Sequence, residues 1–414
     1  MFKDFLPIKA SKLEYLQIRL REIFNRWGFR LVAPSPLEDL AVLELGLGED
    51  LREKTFRFDD RQSGRLVAFP PDITPQVARI AATRMRDMPL PFRLCYNGRV
   101  LRHTEQQLGK DRQIYQSGVE LIGLSGPEAD AEMIAMAVMC LQAVGATGFT
   151  IDIGQVEFLR GVLDDLPLDA AQSRDVRTAI AAKDISGLQQ KLKGLPLTDR
   201  QRDELLALPR LYGGRETLDQ ARQVITNPAS QKALDNLERI LEVLTVYGIE
   251  EHITLDLGEM RGFDYHSGLV FQGFLSGFGR AVCSGGRYDG LTERYGFSSP
   301  ATGFAFNLYN LLFALDRELD ERAEEGTDFL LFSSEQDKAP AQRLAATLRN
   351  QGFSVARDII ERDQAASLDY AKRMHYRYLL VLEASQEELT LIRTADGESS
   401  SLTQNAIESG QFTI

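Results

Sequence analysis

Two strand-like runs, RLCYNGRVLRH from Arg93 and QIYQSGVELIG from Gln113, flank a polar, glycine-containing segment from Thr104 to Arg112. Apolar and β-branched residues on either side of a polar turn form the pattern of an antiparallel hairpin. Side chains alternate along a strand, so Gln116, Gly118 and Glu120 share one face while Tyr115, Val119 and Leu121 share the other. A polar face with a central glycine suits the floor of a pocket; a solvent-facing strand edge would present the same pattern. Arg102 on the first strand and Arg112 at the opening of the second would flank that groove. Two guanidiniums there can hold a phosphate or carboxylate, or serve as structural ion pairs.

Around the hairpin the spacing predicts helices. Leu13, Leu16, Leu20, Ile23, Phe24 and Trp27 recur at three and four residues, with Ser11 as the expected cap and Gly28 as the stop. A second helix is expected from Thr74-Pro75, its hydroxyl as cap and its proline in the first turn. Pro127 opens another, with Ile134, Val138, Leu141 and Val144 on one face, before a strand at Phe149 to Ile153. From about 168 to 246 the chain is charge-rich and helical, broken at Gly194, Gly213-Gly214 and Asn227-Pro228, and reads as a helical insertion. Strand patterns return at HITLDLG, MRGFDYHSGLVFQGF and GRAVCSGG, and Ala301 to Leu315 reads as a strand running into a helix. Asp316 to Asp328 has the composition of a linker. The remainder alternates strand and helix, as a small α/β domain does.

The 414 residues, 43% hydrophobic and 26% charged, suffice for two or three domains. Met1 to Leu20 scatters charges among its apolar residues, so neither a signal peptide nor a membrane span is expected, and the cytoplasm is the expected compartment. Cys95, Cys140 and Cys283 are too far apart for a CxxC pair; no metal, no cofactor and no disulfide framework are expected. A net charge of −12 argues against an extended polyanion-binding surface.

The run LRHTEQQLGKDRQIYQSGVELIG resembles the second signature of class II aminoacyl-tRNA synthetases in its histidyl form. PPDITPQVARI resembles the segment with which that family grips the amino acid's ammonium group. MRGFDYHSGLVF is similar to its histidine-specific stretch, and SGGRYDGLTERYG with PATGFAF resembles the approach to the third signature. The resemblance implies an α+β class II fold: a mostly antiparallel sheet with flanking helices over residues 1–318, carrying the helical insertion, then an anticodon-binding-like α/β domain over 327–414. It implies an L-histidine pocket in which Asp72, Thr74, Gln116 and Glu120 receive the ammonium group, Tyr265 and His266 read the imidazole, and Arg261 meets the carboxylate. The synthetases carry two tyrosines where this chain has Tyr265-His266. A homodimer core is implied as well, through the first-signature remnant near Pro34 to Leu51.

The third signature departs from the catalytic pattern. GFAFNLYNLLFAL places Tyr309-Asn310 where synthetases carry Glu-Arg, and Thr104 stands where they carry a nucleotide-orienting glutamate. Losing one transition-state cation commonly costs on the order of 100- to 1000-fold in rate. Arg102 and Arg112 are then a vestigial nucleotide or phosphate site, and no catalytic residue is expected. A non-catalytic branch of the same family, the regulatory subunits of ATP phosphoribosyltransferase, shares the phrase DITPQVARIAATR. That branch implies a short-form catalytic subunit as partner in a hetero-oligomer and feedback by histidine on the first step of histidine biosynthesis. An active histidyl-tRNA synthetase and a free-standing histidine-sensing pseudo-synthetase are the alternatives. The C-terminal segment is acidic where a tRNA-reading surface needs basic and aromatic groups, so tRNA binding is not expected.

Overall fold

The first helix, α1 (Pro7–Arg26), buries Leu13, Leu16, Leu20, Ile23 and Phe24 along one stripe. It begins a turn before Ser11, because Pro7 fits the first helical position, where its missing N–H is no loss. It stops at Gly28, whose φ of +81° suits a residue without Cβ.

The computed structural model describes residues 4–103, 112–164, 166–315, 319, 327–334, 338–383 and 388–412. They fall into two compact units, Met1–Asp320 and Glu321–Ile414. Thr104, the rest of the expected hairpin turn up to residue 111, and most of the expected linker lie outside the described residues.

After α1 the first unit runs through β1 (Arg30–Leu31), β2 (Glu38–Asp39), α2 (Leu40–Gly46), α3 (Glu49–Glu53), β3 (Phe56–Asp59), β4 (Leu66–Phe69) and α4 (Thr74–Arg84). The hairpin follows as β5 (Phe92–Leu101) and β6 (Gln113–Ile122), then α5 (Pro127–Ala143), β7 (Phe149–Gln155) and α6 (Val156–Leu163). The insertion contributes α7 (Ala170–Ala181), α8 (Ile185–Lys191), α9 (Asp199–Ala207), β8 (Tyr212–Gly213), α10 (Glu216–Val224) and α11 (Pro228–Tyr247). The unit closes with β9 (Ile253–Asp256), β10 (Leu269–Leu275), β11 (Phe278–Arg287), β12 (Ala301–Asn307) and α12 (Leu308–Ala314).

Nine strands form one sheet in the order β1-β5-β6-β12-β11-β10-β7-β9-β8, antiparallel except where β1 meets β5 and β7 meets β9. One face packs on α1 and α5 through Val119, Leu121, Ile151, Ile153 and Phe271. The opposite face is covered by α4 at the β5–β6 end, over Phe92, Leu94 and Tyr96. A smaller sheet, β2-β4-β3, stands apart from it.

Several expectations are corrected by the structure. Thr74 does not cap α4; it is the first helical residue, and Ile73 occupies the cap without a side-chain bond. Arg102 and Arg112 lie just outside the hairpin strands. The insertion is not purely helical, since β8 pairs with β9 at the edge of the large sheet. Of MRGFDYHSGLVFQGF only Leu269 onward is strand, and residues 260–266 form a turn.

The second unit holds β13 (Phe329–Ser333), α13 (Ala339–Asn350), β14 (Val355–Arg357), α14 (Gln364–Arg373), β15 (Tyr378–Leu382), β16 (Glu388–Arg393), β17 (Ser399–Thr403) and α15 (Gln404–Glu408). Strand and helix alternate as far as β15, and an antiparallel pair, β16–β17, completes a sheet of order β14-β13-β15-β16-β17. No helix among the described residues is long and apolar enough to cross a membrane.

Candidate functional site

Residues directly opposite on neighbouring strands project from the same face. The register therefore sets Gly118, Ala305, Ser284, Gln272 and Asp152 in one row across β6, β12, β11, β10 and β7, and Glu120, Gly303, Gly286, Val270 and Gly154 in the next. This is the face away from α5, left open beyond α4.

At its β6 end, Gln116 ties a corner together. Its Nε2 donates to Asp72 Oδ1 at 3.1 Å and its Oε1 accepts the Ile73 backbone N–H at 3.2 Å. Thr74 places its backbone N–H 3.5 Å from Asp72 Oδ1 and its hydroxyl 3.5 Å from the Tyr96 hydroxyl. Glu120 is 1% exposed. It accepts from the Tyr96 hydroxyl at 3.2 Å and, more closely, from the Tyr288 hydroxyl. Burial pushes the Glu120 carboxyl up to about 8, against the hydrogen bonds from Tyr288, Thr74 and Tyr96, and the Asp72 charge pushes the same way as burial. Gly303, opposite Glu120 on β12, has no side chain to occupy the carboxylate's place.

Tyr265 joins this corner by packing on Tyr288, ring centroids 5.8 Å apart, and stands edge-on to His266 at 5.1 Å. The His266 Nδ1 meets the Arg287 carbonyl at 3.2 Å, and burial lowers the ring to about 4, so it is neutral at physiological pH. The turn bearing both residues is gripped from outside. Arg160 of α6 donates to the Phe263 carbonyl at 2.7 Å and the His266 carbonyl at 2.9 Å. Arg160 and Arg177 lie over the Phe263 ring, 5.3 and 4.3 Å from its centre.

Arg261 sits farther along the face. Its guanidinium donates to Gln272 Oε1, and its Nε is 3.9 Å from Glu259. A cavity of about 200 Å³ opens there, with Asp152, Asp256, Glu259, Arg261, His266 and Gln272 in its wall. Asp72, Thr74, Gln116 and Glu120 do not line it; His266 connects the two regions through Tyr265 and Tyr288. The structure thus brings together Asp72, Thr74, Gln116, Glu120, Tyr265 and His266, with Arg261 at the opposite end of the same face. Arg102 and Arg112 meet through their backbones, but the side chains part: Arg102 Nε donates to the Pro71 carbonyl at 2.8 Å, and Arg112 stacks on Phe56 at 5.1 Å.

Tyr96, Tyr288 and Gly303 escaped the sequence reading. The hairpin register alone would have found Tyr96, opposite Gly118; the other two depend on the distant pairings of β11 and β12.

At the third-signature position, Asn310 is 7% exposed and its Nδ2 donates to the Ala281 carbonyl at 2.8 Å. Tyr309 is buried against Phe5, ring centres 4.9 Å apart, and its hydroxyl accepts from Gln113 at 2.9 Å. An amide and a phenol packed into the frame cannot supply the cation on which class II adenylation depends. Among the described residues no cluster of three or more His, Cys, Asp or Glu side chains is arranged to hold a metal, and all three cysteines are buried free thiols.

A family model described as Histidyl-tRNA synthetase matches residues 1–311. The ATP phosphoribosyltransferase regulatory subunit of Syntrophotalea carbinolica is 61% identical over 412 residues, covering 100% of this chain and 96% of the relative. This chain belongs to the ATP phosphoribosyltransferase regulatory subunit family. The family's protein from Geobacter sulfurreducens is 50% identical over 414 residues, covering 99% of this chain and 94% of that one. The ATP phosphoribosyltransferase regulatory subunit/histidyl-tRNA synthetase of Bacillus halodurans superposes with a TM-score of 0.81 at 28% identity, over 93% of this chain and 97% of that one. The histidyl-tRNA synthetase of Nostoc sp. PCC 7120 gives a TM-score of 0.81 at 20% identity, over 99% and 97%, and speaks for the fold alone. The fold is that of class II aminoacyl-tRNA synthetases. Membership in the regulatory-subunit family makes this a non-catalytic subunit rather than an active histidyl-tRNA synthetase, in keeping with the buried Tyr309-Asn310 pair.

Proposed function

We propose that this subunit binds L-histidine on the open sheet face and passes its occupancy to the short-form catalytic subunit of ATP phosphoribosyltransferase, within a cytoplasmic hetero-oligomer built on a homodimer core. The observation that carries the ligand reading is the corner itself: the Asp72 carboxylate, oriented by Gln116 and beside the Thr74 hydroxyl, offers charged and neutral acceptors for an ammonium group. Tyr265 and His266 offer rings for the imidazole to pack on, and Arg261, held by Gln272 near Glu259 at the opposite end of the face, would have to turn toward the corner to meet the carboxylate. The names of the relatives support the catalytic partner. Histidine acts by favouring a less active arrangement of the complex, and linkage then makes the catalytic subunit's state alter histidine affinity reciprocally. Arg102, spent on the Pro71 carbonyl, and Arg112, stacked on Phe56, serve the frame rather than a nucleotide. The acidic C-terminal unit serves packing or subunit contact.

The test is calorimetric titration of the full chain with L-histidine, for the wild type and Asp72→Asn. Wild-type binding weakened on the order of 10- to 100-fold in the variant is expected, the equivalent of one charge-assisted hydrogen bond. Absence of binding by the wild type overturns the ligand reading. Failure of histidine to change the rate of the reconstituted complex overturns the regulatory one.

A further inference from the structure

Two carboxylates share the corner at the head of α4, and no cation stands between them. Glu120 is 1% exposed, and the polar groups that reach it are hydroxyls: Tyr96 from β5 at 3.2 Å, Tyr288 from just after β11, and Thr74 from the start of α4. Leu94 lies opposite it on β5, and β12 presents only Gly303. The turn at residues 260–266 adds Tyr265, packed on Tyr288, and the neutral His266. Asp72 stands beside Thr74, tied to the Gln116 amide at 3.1 Å. The guanidiniums of the surrounding elements are engaged elsewhere: Arg102 on the Pro71 carbonyl, Arg261 on Gln272, Arg287 on Asp130 and Asp289, and Arg294 on the Leu45 carbonyl. Among the described residues neither Glu120 nor Asp72 has an ion-pair partner.

Two neighbouring carboxylates with no cation repel each other, and a single proton relieves both the repulsion and the cost of burial. It belongs on Glu120. Asp72 faces an amide N–H, which can only donate, whereas the hydroxyls around Glu120 accept as readily as they donate and so suit the acid and the carboxylate alike. Burial accordingly pushes the Glu120 carboxyl up to about 8.

We propose that ligand capture at this corner is an exchange of cations, in which the incoming ammonium group expels the proton of Glu120 and comes to lie between two carboxylates. The inference rests on the amino-acid reading of the site given above. The charges balance: Asp72 alone is negative before, two carboxylates and one ammonium leave the same single negative charge after, and the proton goes to solvent. The corner thus takes up a cation without changing the net charge it buries. Proton and ammonium compete, so affinity falls as pH drops below about 8, and the histidine signal weakens in acid.

The measurement is the number of protons released. The full chain is titrated calorimetrically with L-histidine at pH 7 in buffers of different ionisation enthalpy, and the slope of observed heat against that enthalpy counts protons. The wild type is expected to release close to one proton more than Glu120→Gln, whose amide has none to give. Its affinity should rise about 5-fold from pH 7 to pH 8, while that of the variant changes little. Difference infrared spectroscopy needs no variant: the carbonyl stretch of a buried, protonated carboxyl in the wild type should disappear when histidine is added. Binding without proton release, or with that band intact, overturns the proposal and leaves the amino-acid reading standing. An equal proton count in Glu120→Gln assigns the proton to another group and overturns it as well. Absence of binding by the wild type overturns both readings.

Discussion

Arg287 Nε stands 2.9 Å from Asp130 Oδ2, with 7% and 1% of the two side chains exposed. The pair joins the end of β11 to the first turn of α5, and the same guanidinium donates to the Leu124 carbonyl at 3.1 Å and to Asp289 at 3.0 Å. A buried ion pair of this kind gains little over an apolar replacement of equal shape, but half of it left alone is costly. The Arg287 carbonyl also meets His266 Nδ1 at 3.2 Å, so the pair bears on the site from a distance.

Asp130→Ala should destabilise the first unit by about 1–3 kcal/mol, less than the penalty for orphaning a buried charge, because Asp289 still meets the guanidinium. Urea unfolding measures it. A loss below about 1 kcal/mol would show that water reaches Arg287 and relieves the charge.

The pH dependence of stability isolates Glu120. Its carboxyl titrates near 8 in the folded chain against an ordinary value of 4.5, so between those values the native state holds a proton that the unfolded chain has lost. Its contribution is complete below pH 4.5 and is lost as pH rises through 8. Glu120→Gln, which cannot ionise, should flatten the decline in melting temperature from pH 5 to pH 9 by an amount equivalent to a few kcal/mol. An identical decline in wild type and variant would place the carboxyl in contact with solvent.

Gly303→Ala tests the close fit of β12 against β6. An added Cβ would fall inside the contact distance of both the Glu120 carboxylate and the Val119 carbonyl, and the carbonyl belongs to a paired strand that cannot step aside. We expect destabilisation of about 1–3 kcal/mol as Glu120 is displaced from Tyr96 and Tyr288. At an unobstructed position the same substitution would stabilise, so the sign of the change in thermal melting decides the point.

The hairpin, the shared face of Gln116 and Glu120 on β6 and the helical stripe of α1 were legible because each depends on a period read within one segment. Gln116 and Glu120 fell on one face by counting in twos. Tyr288 and Gly303 did not, because their meeting with Glu120 is set by pairings between strands far apart in the chain. The turn at residues 260–266 was concealed by strand-like composition: Phe263, Tyr265 and His266 would suit a strand, and tertiary contacts from Arg160 to two of its carbonyls help hold the chain in a turn. Ser11 misled for a simpler reason, since a proline four residues earlier was the better start.

The buried Asn310 has a kinetic meaning. A synthetase spends the amino acid it captures, so its occupancy reflects flux as well as supply. On the amino-acid reading proposed above, with asparagine turned inward to the Ala281 carbonyl and no cation in its place, a captured amino acid would leave unchanged. Occupancy of such a site would be a reversible record of concentration, and a fold shared with consuming enzymes would serve as a gauge.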